Sequence, residues 1–139
     1  MKHDLVTRIV GRVLVLLESA DAPSDPEWDR CLGLLAEFRD DFSRVKVLVI
    51  TAGGGPTPPQ RRRLSAVTQE HSVHVAVVSD SMRVRFIVAS AALFLREIAT
   101  FRRAEIAMAY RHLGLDPAEQ RAVEIAVQEM TDQLGSSRA

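Results

Sequence analysis

Few side chains in this sequence are spaced for chemistry. The histidines are His3, His71, His74 and His112. His71 and His74 lie close together but straddle the end of one expected helix and the start of the next strand. A structural zinc site usually takes four ligands. Neither a His/Cys cluster nor a His-Glu-x-x-His pattern occurs, so no metal ligand is assigned. Ser79-Asp80-Ser81 joins a strand to a helix, as a nucleophilic serine turn would. The Gly-x-Ser-x-Gly pattern is absent, and Ser81 reads as a helix cap. Cys31 is the only cysteine, which excludes an intramolecular disulfide. It falls within a helical apolar pattern, as a buried thiol does. With no acid/base pair and no activated nucleophile, the sequence yields no catalytic residue and no cofactor, and it reads as a non-enzyme.

The stretch ITAGGGPTPPQRRRL, residues 50–64, is the most unusual in the chain. Thr57-Pro58-Pro59-Gln60 is a capping box by residue type. The threonine hydroxyl can accept the Gln60 amide while the glutamine reaches back to the amide of Thr57. The two prolines lack N–H groups that a first helical turn leaves unpaired in any case. Gly53, Gly54 and Gly55 leave the approach free to take unusual backbone angles. Glycines ahead of a helix start can also cradle an anion. However, the spacing is not a dinucleotide fingerprint, and no Gly-Lys-Ser/Thr follows.

Arg61, Arg62 and Arg63 come next, early in the helix, where the macrodipole disfavours positive charge by roughly 0.3–1 kcal/mol each at exposed sites. They fan out by about 100 degrees per residue, so one neighbour cannot pair all three. They form either a solvated face, with Glu70 and other acids nearby, or a cluster held for an acidic partner, a carboxylate or a phosphate.

The elements that must position this corner follow from periodicity. The chain has 139 residues, 47% hydrophobic and 26% charged, enough for one domain with its own core. Eighteen basic residues balance eighteen acidic ones, so no whole-molecule field points to nucleic acid or to an anionic membrane, and electrostatic recognition must be local. The apolar run near the N-terminus is interrupted by Asp4, Arg8 and Arg12, which argues against a signal peptide or a membrane span and for a cytoplasmic protein.

Residues 5–10 and 12–18 read as strands joined at Gly11. A helix of about five turns follows, capped by Ser24 or Asp25 and marked by Trp28, Cys31, Leu32, Leu35, Phe38 and Phe42. Residues 45–51 and 73–79 are buried-type strands, with a helix bearing Leu64, Val67 and His71 between them.

Ser81 starts a helix to about Arg96, in which Val84, Ile87, Val88, Ala91 and Leu95 are expected to face the sheet. Phe86, Leu93 and Phe94 then need cover from the C-terminal helices or from a second subunit. "EIATF" suggests a short edge strand, and a short helix is expected over 103–113. Asp116, Pro117 and Glu119 open a last helix with Val123, Ala126, Val127, Met130 and Leu134 on one stripe. The class is α/β: an opening hairpin, then β-α-β-α-β, a mostly parallel sheet of four to five strands and extra C-terminal helices. In open sheets of this kind ligands and partners bind at the C-terminal ends of the strands.

This order resembles the STAS domain family, best known from the bacterial anti-sigma-factor antagonists. The resemblance covers about residues 5–113, leaving about 116–134 as a helical extension. It rests on the hairpin, on the crossovers VLVLLES…VKVLVIT and VKVLVIT…VHVAVVS, and on the sharp turn and helix after residues 45–51. In the antagonists that turn reads Asp-Ser-Ser/Thr-Gly, and a partner kinase phosphorylates a Ser or Thr in it. Here it reads Thr51-Ala52-Gly53-Gly54-Gly55-Pro56-Thr57-Pro58-Pro59, so Thr57 alone stands in a comparable place, with Thr51 a poorer match. The resemblance implies a regulatory signalling module that binds another protein, acidic at its contact surface, through Gly53–Gly55, Thr57, Gln60 and Arg61–Arg63. The residues leave open a small-molecule, nucleotide or anion site at the same corner, and a homodimer or larger assembly built through helix 82–96.

Overall fold

The structure is a computed structural model that describes residues 3–69, 71–91 and 97–136. Strands β1 (Leu5–Val10) and β2 (Val13–Glu18) form an antiparallel hairpin whose turn places Gly11 at φ +61°, a left-handed angle that favours glycine. Then come helix α1 (Asp25–Ala36), strand β3 (Lys46–Thr51), helix α2 (Pro58–Thr68), strand β4 (His74–Val78), helix α3 (Met82–Ala91), strand β5 (Ile98–Phe101) and helices α4 (Ile106–Leu113) and α5 (Pro117–Ser136). The five strands lie in chain order, β1-β2-β3-β4-β5, and every pair after the hairpin is parallel. The α/β class, the hairpin, the parallel core and the C-terminal helices are those expected from the sequence.

Alternation along the central strands feeds two cores. Leu14, Leu16 and Val47 face α1, with Trp28, Cys31, Leu32 and Leu35, while Leu64 and Val67 of α2 pack around them. Val13, Val15, Leu17, Leu48, Ile50, Ala76 and Val78 face the other way, onto Ala109, Tyr110 and Leu113 of α4 and Val123, Ala126 and Met130 of α5. The strands are apolar on both sides because each side is covered, as parallel sheets require.

Three expectations are corrected. Helix α1 has 12 residues, not about five turns. Its last amides bend into tighter bonds, and a separate 3-10 turn at Phe42–Arg44 starts where the Asp41 carboxylate accepts the Ser43 amide at 3.0 Å, so Phe42 reaches the core outside the helix. His71 lies beyond α2, which closes at Gln69 in a left-handed conformation. The C-terminal helices do not cover α3. They pack on the opposite core, α5 against β1 and β2 and α4 mainly against β4 and β5. Phe86 is accordingly 74% exposed, and Ile87 is exposed too, whereas Val88 is buried. Leu93, Phe94, Leu95 and Arg96 lie outside the described residues. Among those described, no helix is long and apolar enough to cross a membrane.

Candidate functional site

The parallel register brings the C-terminal ends of β2, β3 and β4 to one rim. Glu18 pairs with Thr51, and the next step from the Ile50–Val78 pair sets Thr51 beside Ser79. All three residues are buried. By strand alternation they share the α1/α2 side of the sheet. Ser79 Oγ donates to the Thr51 carbonyl at 2.8 Å and accepts the Ser81 amide at 3.1 Å, which ties β4 to β3 and starts α3. Ser81 caps that helix as expected, accepting the Val84 amide at 3.3 Å.

The glycine corner grows from this rim. Thr51 Oγ1 donates to the Gly54 carbonyl at 2.7 Å and accepts the Gly53 amide at 3.0 Å. The Gly54 amide donates to Ser19 O at 2.9 Å. Gly53 has φ +144°. At Gly54 a Cβ would overlap the Asp21 carbonyl oxygen and come within 2.7 Å of Ser19 O. Gly55 meets neither constraint. Gly53 thus takes an unusual backbone angle of the kind the glycine run allows, and close packing against residues 19–21 pins the corner at Gly54. An anion would find the Gly53 and Gly54 donors engaged.

Helix α2 begins with the expected box. Gln60 N donates to Thr57 Oγ1 at 3.3 Å, and Thr57 N donates to Gln60 Oε1 at 2.9 Å. What the sequence did not disclose is the second task of Gln60, which is only 2% exposed. Its Nε2 donates to Pro23 O at 2.9 Å and to Asp25 Oδ1 at 3.0 Å, and its carbonyl accepts Trp28 Nε1 at 2.8 Å. Gln60 thereby joins the starts of α1 and α2. Its amide, then Arg63, holds the Asp25 carboxyl below its ordinary value.

The three arginines part company. Arg63 pairs with Asp25 at 3.3 Å and Asp29 at 3.0 Å, both on α1, and so braces the two helices. Glu70, the acid expected near them, lies outside the described residues. Arg61 is exposed and folds back to donate to Pro56 O at 3.1 Å. Arg62 is exposed and, among the described residues, makes no hydrogen bond or ion pair. More basic side chains stand along the same rim. Arg83, in the first turn of α3, and Arg102 and Arg103, just after β5, are exposed. Their surroundings connect to the corner, because a Cβ at Gly53 would lie 4.0 Å from Ser81 Oγ, and the Arg103 amide donates to Asp80 Oδ1 at 3.1 Å. Glu105 in turn accepts the Arg102 amide at 2.9 Å. Among the described residues Asp80 and Glu105 are outnumbered on this side by Arg61, Arg62, Arg83, Arg102 and Arg103, while Asp25, Glu27 and Asp29 gather at the α1 end. A chain with no net charge has a rim that is acidic beside β2 and basic from β3 to β5.

Sequence reasoning missed Glu18 and this wider basic rim. Glu18 had a legible signal, an acid closing the otherwise apolar strand VLVLLE. Burial raises its carboxyl to about 7, and the neighbouring Thr51 hydroxyl works in the opposite direction. Burial, then the nearby Glu18, pushes the Cys31 thiol up to about 12, so this cysteine is no nucleophile at neutral pH.

At the opposite rim, Lys46 Nζ lies 3.1 Å from His74 Nδ1, and the His74 and His112 rings stack edge-on at 4.5 Å. Burial, then Lys46 and His112, lowers His74. Among the described residues no group of three or more His, Cys, Asp or Glu side chains could hold a metal. Comparison with family models, with curated proteins and with solved structures finds no match for this chain.

Proposed function

We propose that this chain is a non-enzymatic regulatory module of the STAS type, working in the cytoplasm, that docks another protein on the corner at residues 52–64 and the basic rim beside it. One observation carries the reading. Arg61 and Arg62 stand exposed on a helix tip that Gln60 and Arg63 hold firmly against α1, and Arg62 has no partner among the described residues. A positive side chain early in a helix works against the macrodipole. Its fixed presentation there suits an acidic surface or a phosphorylated segment, to which guanidinium groups bind in pairs of hydrogen bonds. Thr57 remains the position comparable to the phosphorylated residue of the antagonists, and a phosphate there would lie between the helix start and Arg61.

The test is quantitative. A partner is identified by affinity capture from the native cell, then purified, and its dissociation constant is measured against the wild type and against Arg61→Glu/Arg62→Glu. A loss of affinity of about tenfold or more, with thermal stability nearly unchanged, is expected. Equal affinity would end the proposal.

Self-assembly through α3 is a second reading, supported by the exposure of Met82 (75%) and Phe86 (74%) on that helix. Light scattering over a range of concentration addresses it, since a strict monomer removes it. A nucleotide or anion site at the corner has less support, because the Gly53 and Gly54 amides already have partners.

A further inference from the structure

The Thr51 hydroxyl has one hydrogen and two lone pairs. The hydrogen is directed to the Gly54 carbonyl at 2.7 Å, and one lone pair takes the Gly53 amide at 3.0 Å. Glu18, only 4% exposed, is the cross-strand partner of Thr51 in the parallel register, and both side chains lie on the same buried side of the sheet. A protonated Glu18 can donate to the remaining lone pair, and every member of the group is then satisfied. An ionised Glu18 is an acceptor only. It must compete with Gly54 O for the single hydroxyl hydrogen, and one of the two acceptors is left without a donor in a buried site, where that is expensive.

We propose that the proton on Glu18 is a structural part of the glycine corner, and that its loss releases the Thr51–Gly54 tie and loosens residues 52–55. The neighbours leave Glu18 in control. From β3 it meets Thr51, and from α1 the Cys31 thiol, which burial keeps protonated. Glu27, also on α1, is engaged by the Asp4 and Leu5 amides at 3.0 and 3.1 Å, and Asp4, ahead of β1, accepts Ser19 Oγ at 2.8 Å. α2 brings Leu64 and Val67 to this side of the sheet. Among the described residues no cation pairs with Glu18. The raised carboxyl, near 7, sets the change within the physiological range. Two direct backbone bonds, Ala52 N to Glu18 O at 3.1 Å and Gly54 N to Ser19 O at 2.9 Å, carry the change from the strand end into the corner. Control of docking by this proton rests on the function proposed above, whereas the coupling is measured on the free chain, so the two can fail separately.

Carbon-detected NMR of the full chain would follow the Glu18 carboxyl, and amide exchange would follow Gly53 and Gly54, both from about pH 5 to about pH 9. Glu18 should titrate near neutrality. Over the same span the protection of Gly53 and Gly54, corrected for intrinsic exchange, should fall by about tenfold or more. Glu18→Gln, whose amide can still donate to Thr51, should keep that protection at every pH. Thr51→Val should leave Glu18 titrating while the two amides no longer follow it. A Glu18 carboxyl that titrates in the ordinary range, or glycine amides indifferent to it, would overturn the proposal. So would a Thr51→Val protein whose corner still follows pH.

Discussion

Helices α1 and α2 start in the same way and carry opposite charge. Ser24-Asp25-Pro26-Glu27 and Thr57-Pro58-Pro59-Gln60 are both capping boxes with proline in the first turn, and both boxes are closed in the structure. At α1 the charge serves the fold. Burial alone would raise Glu27, but hydrogen bonds from the Ser24 amide, the Leu5 amide, the Ser24 hydroxyl and the Asp4 amide outweigh it and hold the carboxyl below its usual range. Its negative charge also suits a helix N-terminus. At α2 the box residue is a neutral glutamine, the first turn holds no acid, and arginines follow. Equal caps give equal geometry. The difference lies in what the charges are free to do: at α2 Arg61 directs one donor to Pro56 O, and Arg62 has no partner among the described residues.

The comparison breaks most severely where the two helix starts are joined. Gln60→Glu turns the α2 box into the α1 kind, but it buries a carboxylate next to Asp25 and removes the donor to Pro23 O. A loss of about 3 kcal/mol is expected in chemical denaturation. Gln60→Ala should be comparably damaging. A near-neutral result in both would mean that the joint is not structural.

Acid and base should act on the two glutamates with opposite sign. Glu18 is raised from 4.5 to about 7, so its contribution is complete below pH 4.5 and is lost as pH climbs through about 7. A shift of that size corresponds to roughly 3 kcal/mol. Glu27 is lowered from 4.5, so its contribution is present above that pH and lost as pH falls through the depressed value. Denaturation measured against pH should therefore show a stability decline between about pH 4.5 and about 7 that Glu18→Gln flattens, and a decline at more acid pH that Glu27→Gln lessens. The same limb vanishing in both variants would sink the assignment.

Smaller effects sharpen the comparison. Ser24→Ala and Thr57→Ala each remove one cap hydroxyl and should each cost about 1 kcal/mol. A wide inequality would show that the caps are not equivalent. Smallest of all, Arg62→Ala should change stability by less than about 0.5 kcal/mol, whereas Arg63→Ala, which breaks the contacts to Asp25 and Asp29, should cost measurably more. Urea titrations of the two side by side would check this.

Much of the fold was legible because it is local. The apolar runs VLVLLE and VKVLVIT can only be strands covered on both sides, and the two boxes name their helix starts by residue type. The turn and cap roles of Gly11, Ser81 and Thr57 follow from backbone angles and reach no farther than three residues. The rest depends on contacts across the sequence. The bond from Gln60 to Pro23 O spans 37 residues, and that from Trp28 to its carbonyl spans 32. Nothing in the pattern around Arg63 says that Asp25 and Asp29 will meet it. The helical period in MRVRFIVASA shows an apolar circumference but not which side of the sheet the last two helices will take. Glu18 was readable as an acid out of place in a buried strand, yet its use appears only when Thr51 lies next to it.

Cys31 brings one more consequence. Its sulfur is enclosed by the core beneath α1, and its proton is held to about pH 12, so alkylating reagents and mild oxidants have no thiolate to attack while the fold is intact. Once α1 lifts from the sheet, the thiol returns to an ordinary acidity and reacts. The native chain therefore contains a single-site chemical clock for that opening, and the rate at which Cys31 takes up a label would time the detachment of the helix that braces the arginine-bearing tip.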